Sequence, residues 1–399
     1  MTDEALYTFV VEHLNDDTAK LLLAYKSRDI GIDISEAVTQ IECRRKTAAK
    51  LPRFNSHTRF YYPSLLAAEQ SSNEAVAAYH AELVPCGAVV ADLTAGLGID
   101  AMTIAGKAAH IDMHELNPAV NAALQHNCRV LGLNNATVYM PGDCIEMLET
   151  SGREYDVIFI DPARRDAKNK RTYALQDCTP DVVANLPLLL RHCRRLMVKA
   201  SPMLDITQTV RELPGVSEIH VVAWRGECKE VLAIVDKGIV ANPLRLYAVN
   251  IDAEGKAEVY ETTMVPANPV VDIPVPAPGM YLYEPNAAVM KLGHYSGLTA
   301  RYPGLLKCGA NTEVYLSETL YADFPGRMLA VDDIAVLSDK RLRSLAGTKS
   351  NVVCRNFPMS AADLKKRLKL TDGGDTFTYG VTVGSKHLIL RTSPISSQT

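Results

Sequence analysis

The sequence predicts an α/β fold, a mostly parallel sheet with helical crossovers, followed by a smaller α+β module. Three observations carry this. From Gly87 onward, short apolar runs rich in β-branched residues alternate with helical patterns, as in successive βαβ units with right-handed crossovers. Val89 to Asp100, VVADLTAGLGID, reads as a buried strand, a glycine turn and the first residues of a helix. Near the end of the alternation, Glu218–Trp224 and Glu230–Val235 are both strand patterns, separated only by Arg225-Gly226-Glu227-Cys228-Lys229. That gap is too short for a helical crossover, so the two strands pair antiparallel.

Residues 1–82 read as helical. Leu21-Leu22-Leu23, Ala37-Val38 and Leu65-Leu66-Ala67-Ala68 supply apolar stripes, and Asp16-Asp17-Thr18 and Asn73 are helix starts. Within this region Lys50 to Pro63 mixes cations with Phe54, Phe60, Tyr61 and Tyr62. The mixture suits a wall against bases or a cofactor, or a loop that packs its aromatics on the next domain. The alternating region spans 83–237. Its strands are expected at Val89–Leu93, His110–His114, Thr137–Met140, Val157–Ile160 and Leu196–Lys199, with helices after Pro118 and through Val182–Arg195. Residues 238–278 hold a hairpin around Asp252-Ala253-Glu254-Gly255 and a segment with five prolines, Pro266, Pro269, Pro274, Pro276 and Pro278. Residues 279–399 form the α+β module. It includes a basic amphipathic helix, Ser360 to Leu370, capped by Ser360, and a final strand pair around Gly384-Ser385.

Composition narrows the function classes. At 399 residues the chain holds two to three domains. It has no run of about 18 apolar residues, so no membrane span is expected. Nine scattered cysteines, without a C-x-x-C pair, point to reduced thiols in the cytoplasm and away from a disulfide framework or a zinc site. The formal net charge of −4 excludes a uniformly basic nucleic-acid coat, so any polyanion contact must come from local patches.

The glycine turn departs from the dinucleotide fingerprint, because Gly96-Leu97-Gly98 lacks the third glycine of G-x-G-x-x-G. Asp92 ends the strand instead. A carboxylate there repels a pyrophosphate and suits a cationic or amino group, such as those of S-adenosylmethionine; the alternative is a tight turn with Asp92 as a cap. Glu115 ends the second strand about 20 residues beyond the turn, where an acid that holds a ribose hydroxyl pair is expected. Asp143 follows the third strand, and Asp161-Pro162 tops the fourth. Acids recurring at strand C-termini mark the edge along which open α/β sheets bind ligands.

Ala91–Asp100, His114–Pro118, Gly142-Asp143 and Ile160–Arg165 resemble motifs of class I S-adenosylmethionine-dependent methyltransferases, whose seven-stranded Rossmann-like sheet ends in an antiparallel strand. More narrowly, DLTAGLGIDA, Glu69-Gln70-Ser71-Ser72 and the tail resemble the bacterial methyltransferases with a C-terminal THUMP-like domain. The tail match rests on Tyr281–Asn286 and Asn351–Pro358. The resemblance implies S-adenosyl-L-methionine as cofactor and structured RNA, tRNA or rRNA, as substrate. The cofactor set it implies is Asp92, Thr94, Gly96, Gly98, Glu115, Asp143 and Cys144, with Asp161 and Pro162 expected to face the methyl group. Enzymes that methylate an exocyclic amino nitrogen carry (D/N/S)-P-P-(Y/F/W); here Asp161-Pro162 is followed by Ala163-Arg164-Arg165. Enzymes that attack pyrimidine carbon 5 use a cysteine, and none stands in Lys199-Ala200-Ser201-Pro202; Cys178 is a substitute or a structural thiol. The acceptor atom therefore stays open. Arg164, Arg165 and Lys168 lie in a cationic loop beside Asp161 and are expected to bind substrate phosphates, or to pair with nearby acids. Two alternatives remain: a binding protein that kept the sheet and lost the chemistry, and a small-molecule methyltransferase. No metal site is expected.

Overall fold

The computed structural model describes residues 4–25, 30–164, 174–239, 243–264 and 272–395. Before the first strand it places α1 (Glu4–Glu12), α2 (Thr18–Tyr25), α3 (Ile34–Thr47), α4 (Pro52–Ser56), α5 (Leu65–Gln70) and α6 (Glu74–Leu83). Two of the expected helix starts carry their caps: Asp17 accepts from Ala19 N at 3.0 Å, and Asn73 from Ala75 N at 2.8 Å. The first three helices close a small cluster of Leu6, Phe9, Val10, Leu21, Ala37, Val38 and Ile41. The stretch after them joins the main core. Phe54, Phe60 and Tyr62 are fully buried together with Val90, Ile111 and Val157. Of the two readings of Lys50–Pro63, the structure therefore gives the packing one for these three rings.

Arg44 explains how that irregular stretch keeps its shape. Its buried guanidinium donates to the carbonyls of Asn55, Thr58 and Phe60 at 3.1, 2.6 and 2.8 Å. Gln40 completes the clamp, donating to Tyr62 O at 2.6 Å and accepting from Tyr62 N at 3.0 Å. A loop with no ladder of its own must find partners for its carbonyls, and one delocalised cation satisfies several.

The sheet follows with β1 (Val89–Asp92), α7 (Ile99–Ala105), β2 (His110–Met113), α8 (Pro118–Val130), β3 (Ala136–Val138), α9 (Cys144–Ser151) and β4 (Tyr155–Ile160). A short ladder, β5 (Ala163–Arg164) with β6 (Cys178–Thr179), precedes α10 (Val182–His192), β7 (Cys193–Ala200), α11 (Ile206–Glu212), β8 (Val216–Trp224) and β9 (Glu227–Asp236). The strands of this region run in the order β8-β9-β7-β4-β1-β2-β3. β1 pairs parallel with β2 and with β4, and β4 pairs parallel with β7. β9 pairs antiparallel with β7, Leu196 opposite Val235. This is the predicted parallel sheet with its antiparallel last strand. Val157, Ile158, Phe159 and Ile160 are all buried, as inner parallel strands covered on both faces must be.

The chain divides into two compact units, and the N-terminal helices fall in the same unit as β1 to β7. Next in the chain comes a hairpin, β10 (Arg245–Ile251) and β11 (Ala257–Thr263). Its turn is held by Asp252, which accepts from Glu254 N and Lys256 N. The second unit contains β12 (Tyr281–Pro285), α12 (Ala287–Leu292), α13 (Ser296–Arg301), β13 (Leu306–Gly309), β14 (Thr312–Ser317), β15 (Gly326–Val336), β16 (Asn351–Arg355), α14 (Ala361–Leu368), β17 (Phe377–Val383) and β18 (Lys386–Pro394). These strands form a sheet ordered β13-β14-β12-β15-β18-β17-β16, with β16 and β17 parallel. Ser360 caps α14 as expected, accepting from Asp363 N at 3.1 Å. No helix among the described residues is long and apolar enough to cross a membrane. All nine cysteines are free.

Replacing Arg44 with Met keeps the volume and removes the donors. Denaturant unfolding should show a loss of about 2–4 kcal/mol, because several buried carbonyls are left unpaired.

Candidate functional site

The two glycines after β1 serve different ends. Both have left-handed backbone, Gly96 at φ +54° and Gly98 at φ +88°. A Cβ on Gly98 would lie 2.3 Å from Leu124 Cδ1 and 2.6 Å from Met102 Cε, so this glycine lets the turn press onto α8. A Cβ on Gly96 would meet nothing within 4 Å, and Gly96 lines an open cleft. The turn is tied to the neighbouring strands. Leu93 N donates to Phe159 O at 3.0 Å, Ala95 N to His114 O at 2.8 Å, and Asp161 N to Thr94 Oγ1 at 2.6 Å.

The cleft, about 1100 Å³, opens along the C-terminal ends of β1, β2 and β4. Glu115 crosses one side: Oε2 accepts from Gly96 N at 2.9 Å and Oε1 from Asn117 N at 2.7 Å. Asp143 caps α9 through Ile145 N at 2.8 Å while lining the same space. Cys144 lies beside it, and burial pushes its thiol up to about 12, so it holds no thiolate at neutral pH. Leu66, Ala67 and Gln70 of α5, and Ser71 and Ser72 after it, also line the cleft.

Charge on the lining is one-sided. Asp100, Glu115, Asp143 and Asp161 face the cleft, and among the described residues no lysine or arginine lines it. The imidazole of His114, stacked on Tyr139 at 4.7 Å, is shifted down by burial and is neutral at pH 7. Such a lining repels phosphate and favours a ligand that carries positive charge and hydroxyl or amino donors.

The balancing cations lie behind it. Lys199 Nζ on β7 sits 2.6 Å from Asp161 Oδ2, 2.8 Å from Ser72 Oγ and 3.7 Å from Asp100 Oδ2. Asp100 also accepts from Ser72 Oγ and faces His80 Nδ1 at 2.8 Å, and the other ring nitrogen of His80 meets Glu230. With a carboxylate on each nitrogen, His80 is held as imidazolium. Burial alone would lower its pKa, but Glu230 and Asp100 raise it to about 10. Burial likewise works against the Lys199 ammonium, and Asp161, Asp100 and Glu230 more than reverse that. Asp100 is held well below the usual carboxylate range, its burial outweighed by Lys199 and His80.

Thr94, Gly96, Gly98, Glu115, Asp143, Cys144 and Asp161 thus surround one space. Asp92 and Pro162 do not line it. The Asp92 carboxyl is buried beneath the turn, where it accepts from Thr94 N at 3.0 Å, and burial pushes it up to about 8. It is therefore mostly uncharged at pH 7; its contribution is to the shape of the turn, and the cationic or amino partner expected for it is left to the other acids. The side chain of Arg164, and Arg165 and Lys168 entirely, lie outside the described residues. Lys199, Asp100, Ser72, His80 and Glu230 were not legible as site residues. The available signal was a lysine one residue from the end of a core strand and a histidine within an apolar helix, both of which had to be paired with acids.

The second unit matches two family models, a ferredoxin-like domain over residues 281–325 and a THUMP domain-like family over residues 326–394. No curated protein matches the sequence. Among solved structures, the chain is similar to a candidate methyltransferase from Porphyromonas gingivalis W83, with 30% identity, a TM-score of 0.83, and coverage of 99% of this chain and 100% of that one. The chain belongs to the class I methyltransferase family with a C-terminal THUMP-like domain. A slighter similarity is to Trm5b from Pyrococcus abyssi, with 14% identity and a TM-score of 0.30 over 44% of this chain and 50% of that one. That overlap is too small to bear on function.

Two glycine variants of this methyltransferase-family chain separate packing from ligand contact. Gly98→Ala should lose roughly 2–4 kcal/mol in thermal or chemical unfolding, from strain and overlap combined. Gly96→Ala should lose only about 1 kcal/mol, yet narrow the cleft.

The buried titrating groups set a pH dependence. His80, near 10 in the fold against 6.5 unfolded, binds its proton more tightly when folded; so does Asp92, near 8 against 3.8. Both contributions are present at low pH and decline as pH rises, Asp92 between 3.8 and 8 and His80 between 6.5 and 10. Lys50, lowered to about 8 by burial, acts in the opposite sense at higher pH. Unfolding free energy should therefore fall by on the order of 1–2 kcal/mol between pH 7 and 8, and His80→Gln should remove about half of that slope.

Proposed function

We propose that the chain is an S-adenosyl-L-methionine-dependent methyltransferase acting on a base of structured RNA. The observation that carries the cofactor reading is the cleft over the Gly96 turn, lined by acids and, among the described residues, by no lysine or arginine. A dinucleotide or nucleotide triphosphate would place phosphates against these carboxylates. A phosphate-free nucleoside bearing a sulfonium and an ammonium suits them, and Gly96 leaves room for it.

Glu115 keeps lone pairs beyond the two bonds it accepts, enough to receive a pair of ribose hydroxyls. Asp143 is placed to accept from an amino group, and Thr94, Gly98 and Cys144 complete that wall. When bound, S-adenosyl-L-methionine supplies an electrophilic methyl group. The chain's own work is to orient the acceptor, exclude water, and offer Asp161 as a hydrogen-bond and proton acceptor; alignment supplies most of the acceleration. No cysteine supports covalent attack at carbon 5. Cys144 is held as a thiol, and Cys178 donates to Ala174 O at 3.7 Å and does not line the cleft. Substrate binding is assigned to Arg164, Arg165 and Lys168, with residues 279–399 aiding RNA docking through the basic helix α14. The THUMP-like match supports the RNA assignment.

Calorimetry with S-adenosyl-L-homocysteine checks the first half: Glu115→Ala should weaken binding about 10- to 100-fold, the loss of one or two charge-assisted hydrogen bonds. Mass spectrometry of nucleosides from cells with and without the gene checks the second, and one methylated nucleoside should disappear. Cofactor binding with an unchanged nucleoside profile would favour a binding protein instead. Arg164→Ala with Arg165→Ala should weaken RNA binding and reduce its salt slope by about 2, leaving S-adenosyl-L-homocysteine affinity unchanged.

A further inference from the structure

Asp161 stands at the end of β4 with its backbone fixed by Thr94 and its side chain fixed by Lys199. Lys199 itself does not line the cleft. Behind it the charges alternate in sign: Glu230, His80, Asp100, Lys199, Asp161. The five come from five elements, β9, α6, α7, β7 and the end of β4, and Ser72 bridges Lys199 to Asp100. Each inner member has an opposite charge on both sides, so none is free to turn away. Asp100 and Asp161 both reach the cleft, and Asp161 is the more open of the two, its side chain 42% exposed against 10% for Asp100.

We propose that Lys199 is a positioning residue that presents Asp161 to the cleft as a fixed anion, so that the group docked there is a hydrogen-bond donor, an amino or ring N–H of the acceptor base. The inference rests on the methyltransferase reading for the identity of that base, but not for the pairing itself. Asp161 is faced by Lys199, and by the carboxyls of Asp92, Asp100 and Glu230 from the packed elements; His80 lies one step further back. Partial burial together with Asp100 and Glu230 holds the proton affinity of Asp161 above that of a free carboxylate even with Lys199 in place, and the Lys199 ammonium is what opposes that rise. Without that ammonium, Asp161 would hold a proton at higher pH and turn from acceptor into donor.

The test uses full-length protein carrying aspartate labelled with ¹³C at the carboxyl carbon, with Asp161→Asn identifying the resonance. In Lys199→Met the titration midpoint of Asp161 should rise by at least one pH unit, a tenfold gain in proton affinity. Lys199→Arg should restore it to within about half a unit, and His80→Gln should move it upward by less than Lys199→Met. A midpoint in Lys199→Met equal to wild type overturns the proposal. Should Lys199→Met not fold, the wild type decides through its ¹⁵N-lysine spectrum. Slow exchange of one ammonium, lost in Asp161→Asn, supports the pairing, and exchange at the rate of surface lysines overturns it. Calorimetry of wild type with S-adenosyl-L-homocysteine runs alongside. If no binding is seen, the methyltransferase reading fails while the Asp161 readout still stands or falls on its own.

Discussion

A lysine buried among carboxylates determines the inner wall of the cleft. Burying charge is costly, and a hydrophobic cluster of the same volume would serve stability as well or better. Three acids and two bases nevertheless converge beside the glycine turn, drawn from strands and helices that are far apart in the chain. Breaking any inner pair would leave an uncompensated charge, so the arrangement admits essentially one geometry. That geometry fixes the ends of β4 and β7 relative to α6 and α7. The cleft is therefore shaped by electrostatics as much as by packing, and its excess of one negative charge is a property of the whole cluster.

Compact turns do the rest of the positioning. Gly98 allows α8 to approach the turn to a distance that any side chain would forbid, and Gly96 leaves its own side open. Thr94 links the turn to β4, and Glu115 links β2 to the turn. A ligand edge made this way is rigid before any ligand arrives, which lowers the ordering cost of binding.

Much of this was legible in the sequence because it is local. A strand, a glycine turn and a helix are written in consecutive residues, and so is an antiparallel pair joined by five residues. Acids at strand ends could be placed by counting, and Glu115 and Asp143 are where the counting put them. What was illegible depends on partners distant in sequence. Asp92 has the right spacing for a ligand-binding acid, yet its carboxyl is turned inward and mostly uncharged. Lys199 looks like an ordinary strand residue until Asp161 and Asp100 are brought to it. The aromatics of Lys50–Pro63 gave no sign of which way they faced, because an irregular stretch has no period from which to read a buried side. Arg44, which decides the matter, lies before them on another element.

An acid-lined cleft and a polyanionic substrate are compatible only under a particular division of labour. Carboxylates at the reacting end repel the phosphates of an RNA strand, so the base must arrive separated from its backbone, unstacked and presented edge-on. The attraction for the backbone must then come from outside the cleft. The chain has cations to supply it in the sequence from Arg164 to Arg171 and on α14, where Lys365, Lys366 and Arg367 share one short helix. Under the proposed function, repulsion in the cleft and attraction from those cations favour a flipped base on a structured RNA over a free nucleotide, whose phosphate could not be kept away from the acids. The same charge pattern that disfavours nucleotides as ligands thus argues, under the proposed function, against a small phosphorylated substrate.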